Sequence, residues 1–173
     1  MPDWRQSMQQ TFEYYKVDPG TWKDVSKIEN VKSCTISRDA EAETLGSATI
    51  DLLESLGECY IRAYLVTIQN GVREKHPLGT LLIQTPSSSF DGKIRDVSMD
   101  AYTPLLELKE SKPPIGYYIP KKENNLDFAY RLTREHARAP VVPTEDPTKL
   151  FYDFVADTDD TWITYLRDLL ANA

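Results

Sequence analysis

The chain has 173 residues, 40% of them apolar and 27% charged, with 7 glycines, a composition that excludes a fibrous or low-complexity protein. This length suits one domain, or one domain with an appendage, and is enough to bury a core without disulfide staples. The formal charge of −7 argues against a nucleic-acid binder, because phosphate binding rests on Lys and Arg displacing counterions.

The first hundred residues punctuate as an antiparallel β-structure. TFEYYKV (11–17) and WKDVSKI (22–28) flank the turn cluster Asp18-Pro19-Gly20, and VKSCTISR (31–38) alternates polar and apolar positions. SATIDLL (47–53) places Ala48, Ile50 and Leu52 on one face and Ser47, Thr49 and Asp51 on the other, the period of a half-buried strand. CYIRAYLVTIQ (59–69) is rich in β-branched and aromatic residues and runs into Asn70-Gly71, the dipeptide of a tight hairpin. VREKH (72–76) returns beside it, and Pro77 marks an edge, a bulge or a break. LGTLLIQT (78–85), the turn pair Asp91-Gly92 and KIRDVSMDAY (93–102) follow, with Val97, Met99 and Ala101 as one apolar face. Six to eight strands at short intervals point to a barrel or a sandwich.

The pattern changes at Thr103-Pro104, an N-cap and first-turn pair that starts a short helix, TPLLELK. SKPPIGYYIPKK is irregular, and NNLDFAYRLTREHAR (124–138) is helical. Its outer stripe is Arg131, Arg134, Glu135 and Arg138, with Leu126, Ala129, Tyr130, Thr133 and Ala137 facing inward. Prolines 140, 143 and 147 make an extended linker, LFYDFV (150–155) is a strand, and DDTWITYLRDLLANA ends the chain as an amphipathic helix. The charge is uneven along this order: residues 107–140 carry 7 basic and 5 acidic groups, residues 141–173 only 2 and 7. The expected organisation is a β-domain over 1–109, a helix-containing insertion and Pro-rich linker over 110–147, and a strand plus helix over 148–173 that could begin a further domain.

Motifs for chemistry are few. His76 precedes Pro77 in a hairpin strand and His136 lies among charged helix residues, so both read as surface or packing histidines. No nucleophile elbow occurs. Cys34 and Cys59 lack CxxC spacing and read as buried free thiols rather than a disulfide. Asp157, Asp159 and Asp160 lack the glycine and distal glutamate of a calcium loop and read as a helix cap. The arginine stripe reads as a solvated face or an inter-subunit contact. Tyr117 and Tyr118 read as a plug against a barrel or a neighbour, or as a sugar or peptide platform. The expectation is a non-enzyme with no cofactor and no metal. No apolar run reaches the ~20 residues of a membrane helix, and no secretory leader is seen, so membrane insertion is not expected.

Taken in order, VSKIENVKSCTISRDAEAETLGSATIDLL, CYIRAYLVTIQNG, KHPLGTLLIQT and KIRDVSMDAYTPLLEL, then PPIGYYIP, LTREHAR and the closing helix, resemble the N-terminal region of tailed-bacteriophage baseplate hub proteins. The resemblance implies a mainly β, α+β fold: an antiparallel tail-tube-like β-barrel or sandwich, then short helices and a C-terminal amphipathic helix. It implies a structural virion protein, a hub or tube-end ring subunit of three or six copies. Such a subunit joins the tail tube to other baseplate or tail-tip proteins and lets DNA pass without specific binding. It is assembled in the host cytoplasm. Relatives carry a second tube-like domain after the closing helix, so a shortened, split or longer product is expected, and a single tube domain suits six copies better than three. A tail-tip carbohydrate- or protein-binding domain is the alternative. On this reading Trp162, Ile163, Leu166, Leu169, Leu170, Tyr117 and Tyr118 are candidate subunit contacts. Asp51, Asp96 and Asp100, on polar strand faces, are candidates to line a lumen.

Overall fold

The computed structural model describes residues 2–90 and 95–171, with side chains described outside 85–90 and 95–96. The predicted Asp91-Gly92 turn therefore lies outside the described residues. The chain divides into two compact units, residues 1–38 with 46–103 and residues 39–45 with 104–173, instead of the three expected pieces.

The first unit is one seven-stranded antiparallel sheet. Its strands are β1 (Gln9–Val17), β2 (Asp24–Ile28), β3 (Val31–Arg38), β4 (Gly46–Leu52), β5 (Tyr60–Gln69), β6 (Val72–Phe90) and β7 (Arg95–Tyr102). They pair in the order β2-β1-β5-β6-β7-β4-β3. Asn70 and Gly71 both adopt positive φ, 50° and 77°, and join β5 to β6 in the two-residue turn their sequence predicts. Pro77 does not break β6: it sits at a bulge, where Ala63 pairs with Gly79 and Tyr64 with Pro77, leaving Leu78 extra. Two predicted strands are thus one. The Arg38 guanidinium donates to the Leu78 carbonyl that the bulge turns out.

A closed barrel does not form among the described residues. The end strands β2 and β3 share no ladder, yet only Glu29 and Asn30 separate them in sequence. Three Cα steps span at most about 11 Å, whereas seven strands laid flat would span roughly 29 Å. The sheet is therefore rolled, with its edges brought together at one end and left unbonded.

Its interior confirms the roll. Ala48, Ile50 and Leu52 of β4, Ile61 of β5, Leu81 and Ile83 of β6, and Val97, Met99 and Ala101 of β7 form one buried cluster. Tyr14 of β1, Ile28 of β2 and Cys34 and Ile36 of β3 pack against the same cluster. Tyr14 and Cys34 thus meet the same core although five strand spacings separate β1 from β3 along the sheet.

The second unit holds α1 (Leu106–Lys109), β8 (Tyr118–Ile119), α2 (Asn125–His136), β9 (Phe154–Val155) and α3 (Trp162–Ala171). Thr103 does not cap α1, whose N-cap is Leu105 without a side-chain bond. The capping falls instead on Asn124, which accepts from the Asp127 N–H at 3.0 Å, and on Thr161, whose hydroxyl accepts the Thr164 N–H at 3.4 Å while Thr164 accepts the Thr161 N–H at 2.8 Å. The buried residues of α2 are Asn125, Ala129 and Leu132, a face turned away from the predicted one, so that Tyr130 ends half-exposed.

The predicted strand 150–155 contracts to β9, but its neighbours continue an irregular antiparallel ribbon. Ala156 N–H bonds the Tyr117 carbonyl at 2.9 Å, Lys122 N–H the Leu150 carbonyl at 2.8 Å, and Leu150 N–H the Glu123 carbonyl at 3.0 Å. Segments 110–147 and 148–173 share one core, in which Leu108, Ile119, Ala129, Leu132, Leu150 and five residues of α3 are buried. A boundary at 148 is therefore absent from the fold.

Candidate assembly surfaces

The apolar face of α3 is consumed within its own unit. Trp162, Ile163, Leu166 and Leu169 are buried, so these four predicted contact residues are core residues of the chain itself. Leu170 is the exception: at 44% exposed it lies off that face, because the helix turns it past the core. Tyr165, which the sequence reading passed over, is fully buried and donates its phenol to the Phe154 carbonyl at 2.8 Å. Spacing three after Trp162 and one before Leu166 was the available signal.

Tyr117 and Tyr118 part company. Tyr117 packs edge-on against Trp162 at 5.0 Å and Tyr165 at 5.6 Å, while Tyr118 projects outward, 55% exposed. Successive strand residues face opposite ways, so the two rings do not form one platform. His136 stacks on Trp162 at 4.2 Å, a packing histidine. The Asp157–Asp160 turn serves as a cap, the Asp160 carboxylate accepting from Asp157 N–H at 2.8 Å and from the Thr164 hydroxyl at 3.2 Å. No group of side chains placed to hold a metal ion occurs among the described residues.

The outer wall of the rolled sheet has two sectors of different chemistry. Over β2, β1, β5 and β6 it is ion-paired and aromatic. Glu13 meets Arg73 at 2.7 Å and Lys75 at 3.2 Å, Arg62 meets Asp24 at 2.9 Å, and Lys75 lies 4.1 Å over the Tyr15 ring. Burial pushes the Glu13 carboxyl up, but hydrogen bonds from Lys75, Arg73 and Tyr15 outweigh it and hold the group below its ordinary range.

Over β3, β4 and β7 the wall is mainly hydroxyls and carboxylates, with the exposed Lys32 of β3 near Asp51. Ser33 pairs with Asp51, and Asp51 with Ser98; Thr35 pairs with Thr49, and Thr49 with Asp100. The Ser33 hydroxyl, then that of Ser98, donates to Asp51 and holds its carboxyl below the usual range. The Thr49 hydroxyl reaches Asp100 at 3.4 Å. Asp51 and Asp100 thus share a wet face, as their strand parity predicts. The side chain of Asp96, also on β7, lies outside the described residues.

Among the described residues two cavities open on the first unit. One of about 270 Å³ is lined by Thr67, Gln69, Val72 and Glu74; another of about 230 Å³, beside the Glu29–Asn30 link, is lined by Lys16, Ile28, Leu52, Glu54 and Leu56. Both fall below the ~300–1,000 Å³ of ordinary small-molecule pockets.

Against known structures the chain matches the tail protein from Neisseria meningitidis MC58, with a TM-score of 0.65 and 12% identity over 94% of this chain and 45% of that one. The fold is that of solved tail proteins. The 43 kDa tail protein of prophage MuSo2 from Shewanella oneidensis matches with a TM-score of 0.61 and 12% identity, over 93% of this chain and 47% of that one. The chain thus spans less than half the length of either protein. No family model and no curated protein matches the sequence.

Proposed function

We propose that the chain is a structural component of a phage tail, a baseplate hub or tube-end ring subunit that joins the tail tube to the tip. It works in the virion, after assembly in the host cytoplasm, as part of the channel through which DNA leaves. The observation that carries this reading is the likeness in fold to the two tail proteins over 94% and 93% of the chain.

The outer wall supplies a physical reason. A surface of hydroxyls and carboxylates offers DNA few counterion-releasing contacts, so a polyanion slides past it without sticking. The β3–β4–β7 sector, with Asp51 and Asp100, has that chemistry. The free edges of β2 and β3 offer backbone donors and acceptors that ring neighbours can satisfy.

Native mass spectrometry and negative-stain microscopy of the full chain test the reading. A ring of three or six copies with a central opening, able to seat on tail-tube ends, is the expected result. A chain that remains a monomer at micromolar concentrations and ignores tube ends would overturn it.

A further inference from the structure

Two surfaces of the second unit stand largely in solvent, and they are complementary in charge. The first is the exposed apolar set around β9: Tyr118 and Val155, paired on one side of the ribbon, and Phe151 and Tyr152 in the bend that leads into it. Ile119 and Leu150 point into the core, which leaves Tyr118, Val155, Phe151 and Tyr152 outside. Phe151 is 84% exposed and Tyr152 83%. At 150–250 Å² per ring, the three exposed aromatics leave roughly 400 Å² uncovered, comparable with the largest apolar patch of an ordinary monomer. Exposed Asp153, Asp157 and Asp159 occur along the same strand and the turn after it, and none is ion-paired among the described residues.

The second surface is the outer stripe of α2. The Arg131 guanidinium lies 4.0 Å over the Phe128 ring and that of Arg134 lies 5.6 Å from Tyr130. Arg131 reaches Glu135 only at 4.0 Å, and Arg138 reaches Glu107 at 3.6 Å with most of its side chain in water. Each guanidinium keeps N–H donors to spare. Flat cations laid on aromatic rings combine apolar area with charge, and such residues dominate interface cores.

We infer that the acid-rimmed aromatic ribbon of one copy docks on the arginine stripe of α2 in the next copy. The occupant is a second copy of this chain because charge and surface type match within the one sequence: residues 141–173 carry 2 basic and 7 acidic groups, and residues 107–140 carry 7 and 5. The two patches use different residues, so the contact is head-to-tail and builds a ring when its rotation closes. The inference rests on the ring reading above and adds to it which surfaces meet.

The test uses the full chain in analytical ultracentrifugation and native mass spectrometry, with circular dichroism as the folding control. Phe151→Ser with Tyr152→Ser, Arg131→Glu with Arg134→Glu, and Asp157→Lys with Asp159→Lys should each weaken assembly at least about tenfold. All lie at exposed positions, so the fold should persist. Joining the two charge reversals in one chain should restore assembly, an effect that a structural role of these residues would not produce. A ring indifferent to all three pairs overturns this inference alone. A ring that persists while capture on tail tubes is lost assigns the ribbon to the tube protein and also overturns it. A parent chain that never assembles overturns both readings.

Discussion

Tyr14 and Cys34 pack against one core from the inside of the rolled sheet, on strands second and seventh in its order. Burial, and then the neighbouring sulfur, pushes the Tyr14 phenol up to about 12. Burial raises the Cys34 thiol as well, against the opposing influence of the Tyr14 phenol. Burial likewise raises Cys59. A raised thiol holds less thiolate at a given pH, and thiolate is the reactive form. Both cysteines should therefore alkylate more slowly than free cysteine at pH 8, and denaturant should abolish the difference. Rapid modification of Cys34 in the native chain would mean the roll is looser than described.

Tyr165 ties α3 to β9 through the 2.8 Å bond to the Phe154 carbonyl. Tyr165→Phe keeps the packing and removes the donor, and should cost about 1 kcal/mol. Tyr165→Ala empties a fully buried site and should cost about 3–5 kcal/mol. Urea titration of the full chain checks both values and their order.

Two glycines separate crowding from backbone strain. A Cβ on Gly46 would stand 2.8 Å from the Ser37 carbonyl oxygen, so Gly46→Ala must spread β3 from β4 and should cost about 1–3 kcal/mol. A Cβ on Gly71 meets nothing within 4 Å, but its φ of 77° disfavours any side chain. Gly71→Ala should cost about 1–2 kcal/mol and leave the β3–β4 ladder intact in amide exchange, whereas Gly46→Ala should loosen that ladder.

Acid should destabilise the first unit in a defined direction. The Glu13 and Asp51 carboxyls are held below their ordinary range in the fold, so as pH falls the unfolded chain takes up these protons first. Their contribution is complete above the ordinary carboxylate range and is lost as pH drops through the lowered folded values. Thermal melts from pH 7 to pH 3 should show falling stability, with a shallower slope for Glu13→Gln. A melting temperature that rises with acidification would contradict the assignment.

Reversing the charge on the hydroxyl and carboxylate wall should make it adhesive. Asp51→Lys with Asp100→Lys should retain duplex DNA in a low-salt gel shift where the parent does not. The added affinity should decline with salt at a log–log slope near −0.9 per phosphate engaged. An unchanged gel shift would count against this sector as a DNA-facing wall.

Local patterns carried much of the fold into view. The face of Ala48, Ile50 and Leu52 was legible because one side of β4 is core and the other water, which writes a period of two. Asn70-Gly71 was legible because few dipeptides accept two positive φ values. The continuity of β6 through Pro77 was not, since a bulge accommodates proline by pairing choices made in β5. The inward face of α2 was misplaced because Asn125 is polar yet buried, its amide donating to the Leu169 carbonyl at 3.5 Å, a partner 44 residues away. The partner of α3 was not legible for a related reason. An apolar stripe such as that of α3 announces burial without saying in whose core, whereas Phe151 and Tyr152 sat inside a run read as an ordinary strand.

A closed cylinder resists a change of bore everywhere, because widening it stretches hydrogen bonds around the whole circumference. A split sleeve yields along its slit instead. Here the slit is pinned at Glu29–Asn30 and free at the far end, where Asp24 and Arg38 lie. The calibre of the wall is thus fixed by covalent linkage at one rim, whereas at the other no ladder joins the two end strands.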